Sequence, residues 1–243
     1  MRIVLLNSFF LKSVLITTAV ILVGVLIISP AFLENKEKSK IILSFDLNPS
    51  DNLENWCEDL SQITHKDVRF VVFMHGELAK NHPSCLVGFG EKVDIGSKTY
   101  DNLELPTLDD YLEQLDQVKR GKKAIDEIGN FDSKIFRAPG MVTDDNIFSL
   151  LSKNGIDFDL SYSDHYNKFH NGQFLRFELI SIDWRDIETI TFSELDKETP
   201  IMISIDNSVS VNEITKIIDK LKKKNVKFVN PSDLMEKDLT AEV

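Results

Sequence analysis

Apolar runs of strand length recur along this chain, and most are separated by stretches whose apolar positions repeat every three to four residues. The first, IILSFDLN from residue 41, is apolar without alternation and ends in polar residues. That is the pattern of a strand buried on both faces, with Asp46 at its C-terminal end. Residues 50–64 read as a helix, VRFVVFM (68–74) as a second buried strand, and 77–88 as a helix interrupted near Pro83, whose ring does not fit a helix interior. KVDIGSKTY supplies a short third strand. In residues 106–128, Leu108, Tyr111, Leu112, Leu115 and Val118 recur at helical spacing, Thr107 with Asp110 resembles an N-cap with an acidic third position, and Gly129 marks the end.

The alternation continues. KIFRAP reads as a strand, 143–154 as a helix closed by Gly155, FDLSYS as a strand and SDHYNKFHNG as a polar loop. FELISIDW and PIMISID are two further strands, 212–224 is an amphipathic helix, Phe228 and Val229 close the sheet, and Pro231 begins a last short helix. Strands alternating with helices imply parallel β/α units. About seven parallel strands in one domain predict an α/β fold, a distorted or incomplete (β/α) barrel. Such folds gather function at strand C-termini, where Asp46, Asn48, Lys98, Asp101, Asn102, Arg137, Asp183, Trp184 and Asp206 all follow apolar runs. Those residues form the predicted pocket.

Ahead of the first strand, residues 13–33 run for 21 positions without a charge, long enough to cross a hydrocarbon core at about 1.5 Å per residue. They predict one N-terminal transmembrane helix, between a short segment 1–12 and a linker 34–40. A cleaved signal peptide is the alternative, because Ser29 and Ala31 offer small residues before a cut. Arg2 and Lys12 precede the span and Lys36, Lys38 and Lys40 follow it, so basic residues do not set its orientation. The domain proper is expected over 41–236, with a tail at 237–243.

Charge narrows the partners. The 28 Lys and Arg against 39 Asp and Glu give a formal net charge of −11, which argues against nucleic acid and favours a neutral or cationic ligand. Cys57 and Cys85 fall on separate predicted helices. A disulfide would suit an oxidising exterior, two buried thiols would serve equally, and neither cysteine has the setting of a nucleophile.

The strand-end segments, taken in order, resemble the polysaccharide deacetylase (NodB-homology) family, whose members carry T-F-D-D-G, H-T-Y-T-H, R-x-P-Y-G, a D-x-x-x-W or similar segment, and a late L-x-H. Here the first stands as Ser44-Phe45-Asp46-Leu47-Asn48 and the second as Lys98-Thr99-Tyr100-Asp101-Asn102, after the family's Ile-Gly pair. The third, in KIFRAPGM, keeps Arg137, Pro139 and Gly140. The fourth lies in SIDWRD, with Asp183 and Trp184, and the fifth in PIMISID, where the expected His is Ile205. The match spans residues 41–235. It implies a metal-dependent polysaccharide N-deacetylase fold with its domain outside the cell.

The departures bear on the chemistry. In the family, a divalent metal such as zinc is implied to be held by the second Asp of the first motif and both His of the second. Those positions are Leu47, Lys98 and Asn102, and they offer no ordinary N/O ligand set, so no metal cofactor is expected. Asp46 keeps the position of the catalytic base and Arg137 that of the residue orienting it, but without metal and general acid a base alone is insufficient. Lys98, beside Asp46 and Asp101, is expected to replace the missing cation by an ion pair. Lys98, Asp101, Asn102, Pro139, Asp183 and Trp184 are the expected binding residues, and an aromatic face such as that of Trp184 suits a sugar. The pairs His165/His170 and His75/His82 read as solvated or capping residues rather than ligands. Three functions stay open: a degenerate, membrane-anchored binder of glycan or another cell-envelope component, an active deacetylase with an unusual or absent metal site, and a scaffold for other membrane proteins.

Overall fold

The computed structural model describes residues 38–130, 132–192 and 195–237. The predicted span at 13–33 lies outside the described residues. Among those described, no helix is long and apolar enough to cross a membrane.

In chain order the strands are β1 (Ser39–Asp46), β2 (Phe70–Met74), β3 (Val93–Ser97), β4 (Ile135–Phe136), β5 (Phe158–Asp159), β6 (His165–His170), β7 (Gln173–Glu178), β8 (Ile180–Asp183), β9 (Ile201–Asp206) and β10 (Val226–Phe228). The helices are α1 (Leu53–Gln62), α2 (Gly76–Asn81), α3 (Ser84–Val87), α4 (Tyr111–Gly129), α5 (Ile147–Lys153), α6 (Val211–Lys222) and α7 (Pro231–Lys237). One sheet runs in the order β7-β6-β5-β4-β3-β2-β1-β9-β8, and β10 branches off to pair with the start of β1. Its two edge strands, β7 and β8, are consecutive in the chain and separated by Leu179 alone. The sheet therefore curls until its edges meet, although among the described residues no ladder joins them. This is a mixed α/β, nearly closed barrel.

Strand parity divides the core in two. Ile42, Val71, Phe73, Phe158 and Met202 point inward and pack with Leu179, Val229 and Leu234. Ile41, Leu43, Phe45, Leu47, Val72, Ile203 and Ile205 point outward, beneath a helix layer that contributes Trp56, Leu60, Ile214 and Ile218. Burying one such side chain is worth about 1.5–3 kcal/mol, so both layers are substantial. The disulfide Cys57–Cys85 ties α1 to α3 within the outer layer, which decides the question the sequence left open.

Several expectations are corrected. The strands described number ten rather than seven, and β6 runs against its neighbours. Residues 165–170, read as polar loop, form that strand: Asn171 and Gly172 both take positive φ (49° and 88°) and make a two-residue hairpin into β7. Asn-Gly is the ordinary chemistry of such a turn. FELISIDW divides into β7 and β8 at Leu179. Helix α4 starts at Tyr111 rather than near Pro106, because Pro106 and Thr107 belong to a separate short turn and Leu108 is extended. Asp110 is its cap, accepting from Leu112 N at 3.0 Å, and Asn130, at φ 52°, ends it in place of Gly129. Leu112 is 68% exposed, and the buried face is carried by Gln114, Gln117, Val118, Gly121 and Ile125. Helix α5 begins at Ile147 rather than 143, while Gly155 follows it at φ 64° as expected.

Candidate functional site

Inward parity continues to the top of the barrel and changes there from apolar to polar. On β1 the inward series is Ile42, Ser44, Asp46; on β9, paired with it residue for residue, it is Met202, Ser204, Asp206. Arg137 follows β4, its N–H donating to Ser97 O at 3.0 Å. It is 1% exposed, and four of its five N–H donors have partners. Nη1 donates to Asp46 Oδ2 at 2.6 Å and to Ser44 Oγ at 2.7 Å, Nε donates to Leu160 O at 3.2 Å, and Nη2 lies 2.9 Å from Met202 Sδ. Its guanidinium also lies 4.2 Å from the centroid of the Phe73 ring.

Lys98 approaches Asp46 from the other side, its Nζ 3.1 Å from Asp46 Oδ1. Burial pushes the Asp46 carboxyl up, but the charges of Arg137 and then Lys98 outweigh it and hold the group below its ordinary value. The segment carrying Lys98 is set by α4. A Cβ at Gly121 would lie 2.1 Å from Lys98 O, so only glycine lets this helix press so closely on the site.

Asp46, Lys98 and Arg137 form the floor of a cavity of about 350 Å³, whose walls include Asn48, Gly140, Met141, Ser204 and Asp206. A second cavity of about 340 Å³, lined by Asp183, Trp184, Arg185 and Ser163 among others, shares Met141, Ser204 and Asp206 with the first. Asp183 is taken up by Arg185, whose N–H and Nε donate to Oδ1 at 2.9 and 2.8 Å and hold its carboxyl down at about 2. Trp184 packs partly on the outer core as well as lining this cavity.

A model of the family described as Polysaccharide deacetylase matches residues 34–158, just over half of the chain. The chain belongs to the polysaccharide deacetylase family. No curated protein matches it. Solved structures of the same fold include the peptidoglycan deacetylase PdaC of Bacillus subtilis (20% identity, 84% of this chain and 93% of that one, TM-score 0.58). They include also a CE4 family pseudoenzyme of Bacillus anthracis (13%, 84% and 67%, TM-score 0.60) and a family 4 carbohydrate esterase of Streptomyces lividans in complex with acetate (18%, 79% and 91%, TM-score 0.56).

Measured against the divalent metal that this family implies, the residues present do not fit. Leu47 is fully buried with its side chain in the outer, helix-facing core. Lys98 brings an ammonium to Asp46, the carboxylate at the cavity floor. Asn102, at φ 58°, has its Oδ1 buried without a partner among the described residues, but it does not line the cavity. Among the described residues no group of three or more His, Cys, Asp or Glu is placed to hold a metal ion. No step through a metal is therefore derived.

Other sequence-predicted residues disperse. Asp101 turns to α4, where its carboxylate accepts from Gln117 Nε2 at 2.7 Å; Lys98 thus pairs with Asp46 and not with Asp101. Pro139 is buried beneath the turn that carries Gly140, outside the lining. Ile205, the position expected for the general acid, borders the cavity but packs with Leu47 in the outer core, and Ser204 and Asp206 hold the inward face of that strand end. Ser44 and Ser204 were missed. A lone hydroxyl inside an apolar run carries no signal by itself, but counting by twos back from Asp46 places Ser44 on the same face. His75 caps α2, accepting from Leu78 N at 3.3 Å, and His82 Nδ1 lies 3.5 Å from Glu54 Oε1. His165 stacks on Tyr162 with its Nδ1 2.6 Å from Asp164 Oδ1, while His170 Nε2 lies 2.9 Å from Asn171 Nδ2 at the hairpin turn.

Proposed function

We propose that this protein is a catalytically degenerate member of the family that binds carbohydrate or another cell-envelope component in the cleft above β1, β3, β4 and β9, without hydrolysing it. The observation that carries this reading is the Lys98 ammonium 3.1 Å from Asp46. A fixed positive charge there repels a divalent cation and, by lowering the pKa of the carboxylate that would serve as base, weakens it in that role. Leu47 adds to it by giving the outer core a side chain where the family motif has a metal ligand. A structural neighbour described as a pseudoenzyme is a precedent for this fold without activity.

Residues 13–33 are proposed to hold the protein at a membrane with the domain on the outer side. The Cys57–Cys85 bridge supports that side, since disulfides persist in oxidising compartments.

Two measurements test the reading. Elemental analysis of the purified chain after exposure to zinc and to cobalt should find neither at stoichiometric level, and chitooligosaccharides incubated with it should release no acetate. Release of acetate would return the protein to the active deacetylases. Binding to immobilised envelope glycans should weaken on Trp184→Ala, and binding that ignores this change would move the ligand out of the cleft.

A further inference from the structure

The floor of the cleft holds more positive charge than it balances. Two cations, Lys98 and Arg137, meet one carboxylate, that of Asp46, at 3.1 and 2.6 Å. Arg137 has four of its five N–H donors occupied, by Asp46, Ser44, Leu160 O and Met202. Lys98 does not: an ammonium carries three N–H donors, and among the described residues Asp46 is its one ion-pair partner. The residue is 6% exposed, and what exposure it has is to the cavity. Ser204 Oγ, on the same wall, is buried and has no hydrogen-bond partner among the described residues. Two unused donor groups therefore face one cavity above a site with a surplus positive charge.

A buried charge left uncompensated costs several kcal/mol, and a ligand that brings one negative charge would balance this one. The other acid on the wall, Asp206, is exposed and its Oδ1 accepts from Ser208 N at 2.8 Å, and it forms no ion pair with Lys98. Lys98 and Arg137 are 6% and 1% exposed, so the group that reaches them most readily is a terminal one. A carboxylate meets that condition with a single charge. A phosphodiester has groups attached on both sides, and a phosphomonoester brings nearly two charges.

On this basis, and resting on the glycan-binding reading above, we infer that the cleft recognises an acidic sugar by its carboxylate, with Lys98 and Ser204 as the donors and Trp184 in the adjoining cavity as the surface for the ring. Where the family's metal is implied to rest on one Asp and two His, this site would hold an anion on a lysine. This differs from the partner that overall charge suggests. At a net charge of −11 the protein as a whole repels acidic glycans, so a preference for one has to arise locally.

The test is calorimetric titration of the full-length chain in detergent with two oligosaccharides of equal length, hyaluronan tetrasaccharide (alternating glucuronic acid and N-acetylglucosamine) and chitotetraose, which is neutral. The acidic sugar is expected to bind at least about ten-fold more tightly, the worth of one charge-assisted hydrogen bond. Lys98→Gln should remove that advantage, and Ser204→Ala should reduce it about three-fold. If Lys98→Gln does not fold, the wild-type discrimination and the Ser204→Ala variant decide. Equal affinity for the two sugars, or an advantage that survives both variants, would overturn the carboxylate assignment and leave glycan binding standing. Failure of both sugars to bind would overturn both.

Discussion

Two carboxylates at the top of this barrel, Asp46 with its side chain 22% exposed and Asp159 fully buried, respond in opposite ways. Asp46 faces two cations, and its carboxyl is held below the ordinary value despite the cost of burial. Asp159, at the end of β5, has only neutral donors: Ser161 N at 3.0 Å and Ser161 Oγ on Oδ1, and Asn167 Nδ2 at 3.3 Å on Oδ2. Burial dominates there and raises its carboxyl to about 6. The contrast shows how much of a charge's stability hydrogen bonds alone supply in this interior. Three neutral donors hold the carboxylate in place without making it comfortable, whereas full charges do both.

The largest expected effect breaks the first half of that contrast. Arg137→Met leaves Asp46 with Lys98 alone and strips Ser44 and Leu160 O of their partner, so unfolding free energy should fall by about 3–5 kcal/mol, and Asp46 should come to titrate upward, as Asp159 does. Denaturant unfolding checks the first part and carboxyl NMR titration the second. A loss under about 1 kcal/mol would show that the guanidinium is not what stabilises Asp46.

The next effect concerns pH, and the two groups act with opposite sign. Asp46 contributes stability above its unfolded value, lost as pH falls through its lowered folded value. Asp159 is protonated more readily folded than unfolded, between about 3.8 and 6, so its contribution is present at low pH and is lost as pH rises through that window. The amount is on the order of 3 kcal/mol over the two units. Asp159→Asn should abolish this loss, so its stability relative to wild type should increase between about pH 4 and pH 6. Parallel urea curves for the two proteins across that range would sink the assignment.

The smallest effect sharpens the second half. Asn167→Ala removes one neutral donor from Asp159 Oδ2 and should cost about 1 kcal/mol, with the Asp159 carboxyl moving further upward. A downward shift, seen in the same NMR titration, would contradict it.

How much of this was legible in the sequence follows from which residues carry a pattern. The buried runs of β1, β2 and β9 are apolar on both faces, and the register of the barrel follows from them, so Asp46 at a strand end was readable as a site residue, and Arg137 and Lys98 with it. The hairpin β6–β7 was not. Its burial falls on Asn167, Lys168 and His165, polar side chains that are buried because the neighbouring strand and α7 supply partners, as Lys168 Nζ does in donating to Leu234 O at 3.3 Å. No apolar alternation announces such a strand, and only the Asn171-Gly172 turn marked it. The side on which a strand-end residue falls was likewise hidden. Leu47 and Ile205 are one position away from the cleft-facing Asp46 and Ser204, and a motif read along the chain does not record that a single step turns a side chain from the cavity to the helix layer.

Leu179 carries a consequence of another kind. It is the only residue between the two edges of the sheet, it is 4% exposed, and its N–H donates to Asp164 O at 3.0 Å while that of Ile180 donates to Pro200 O at 3.0 Å. Among the described residues the barrel is thus fastened by the covalent chain and not by a ladder. The strands on either side keep their own pairings, so a single peptide stitch closes the wall beside the cavity that Asp183 and Trp184 line.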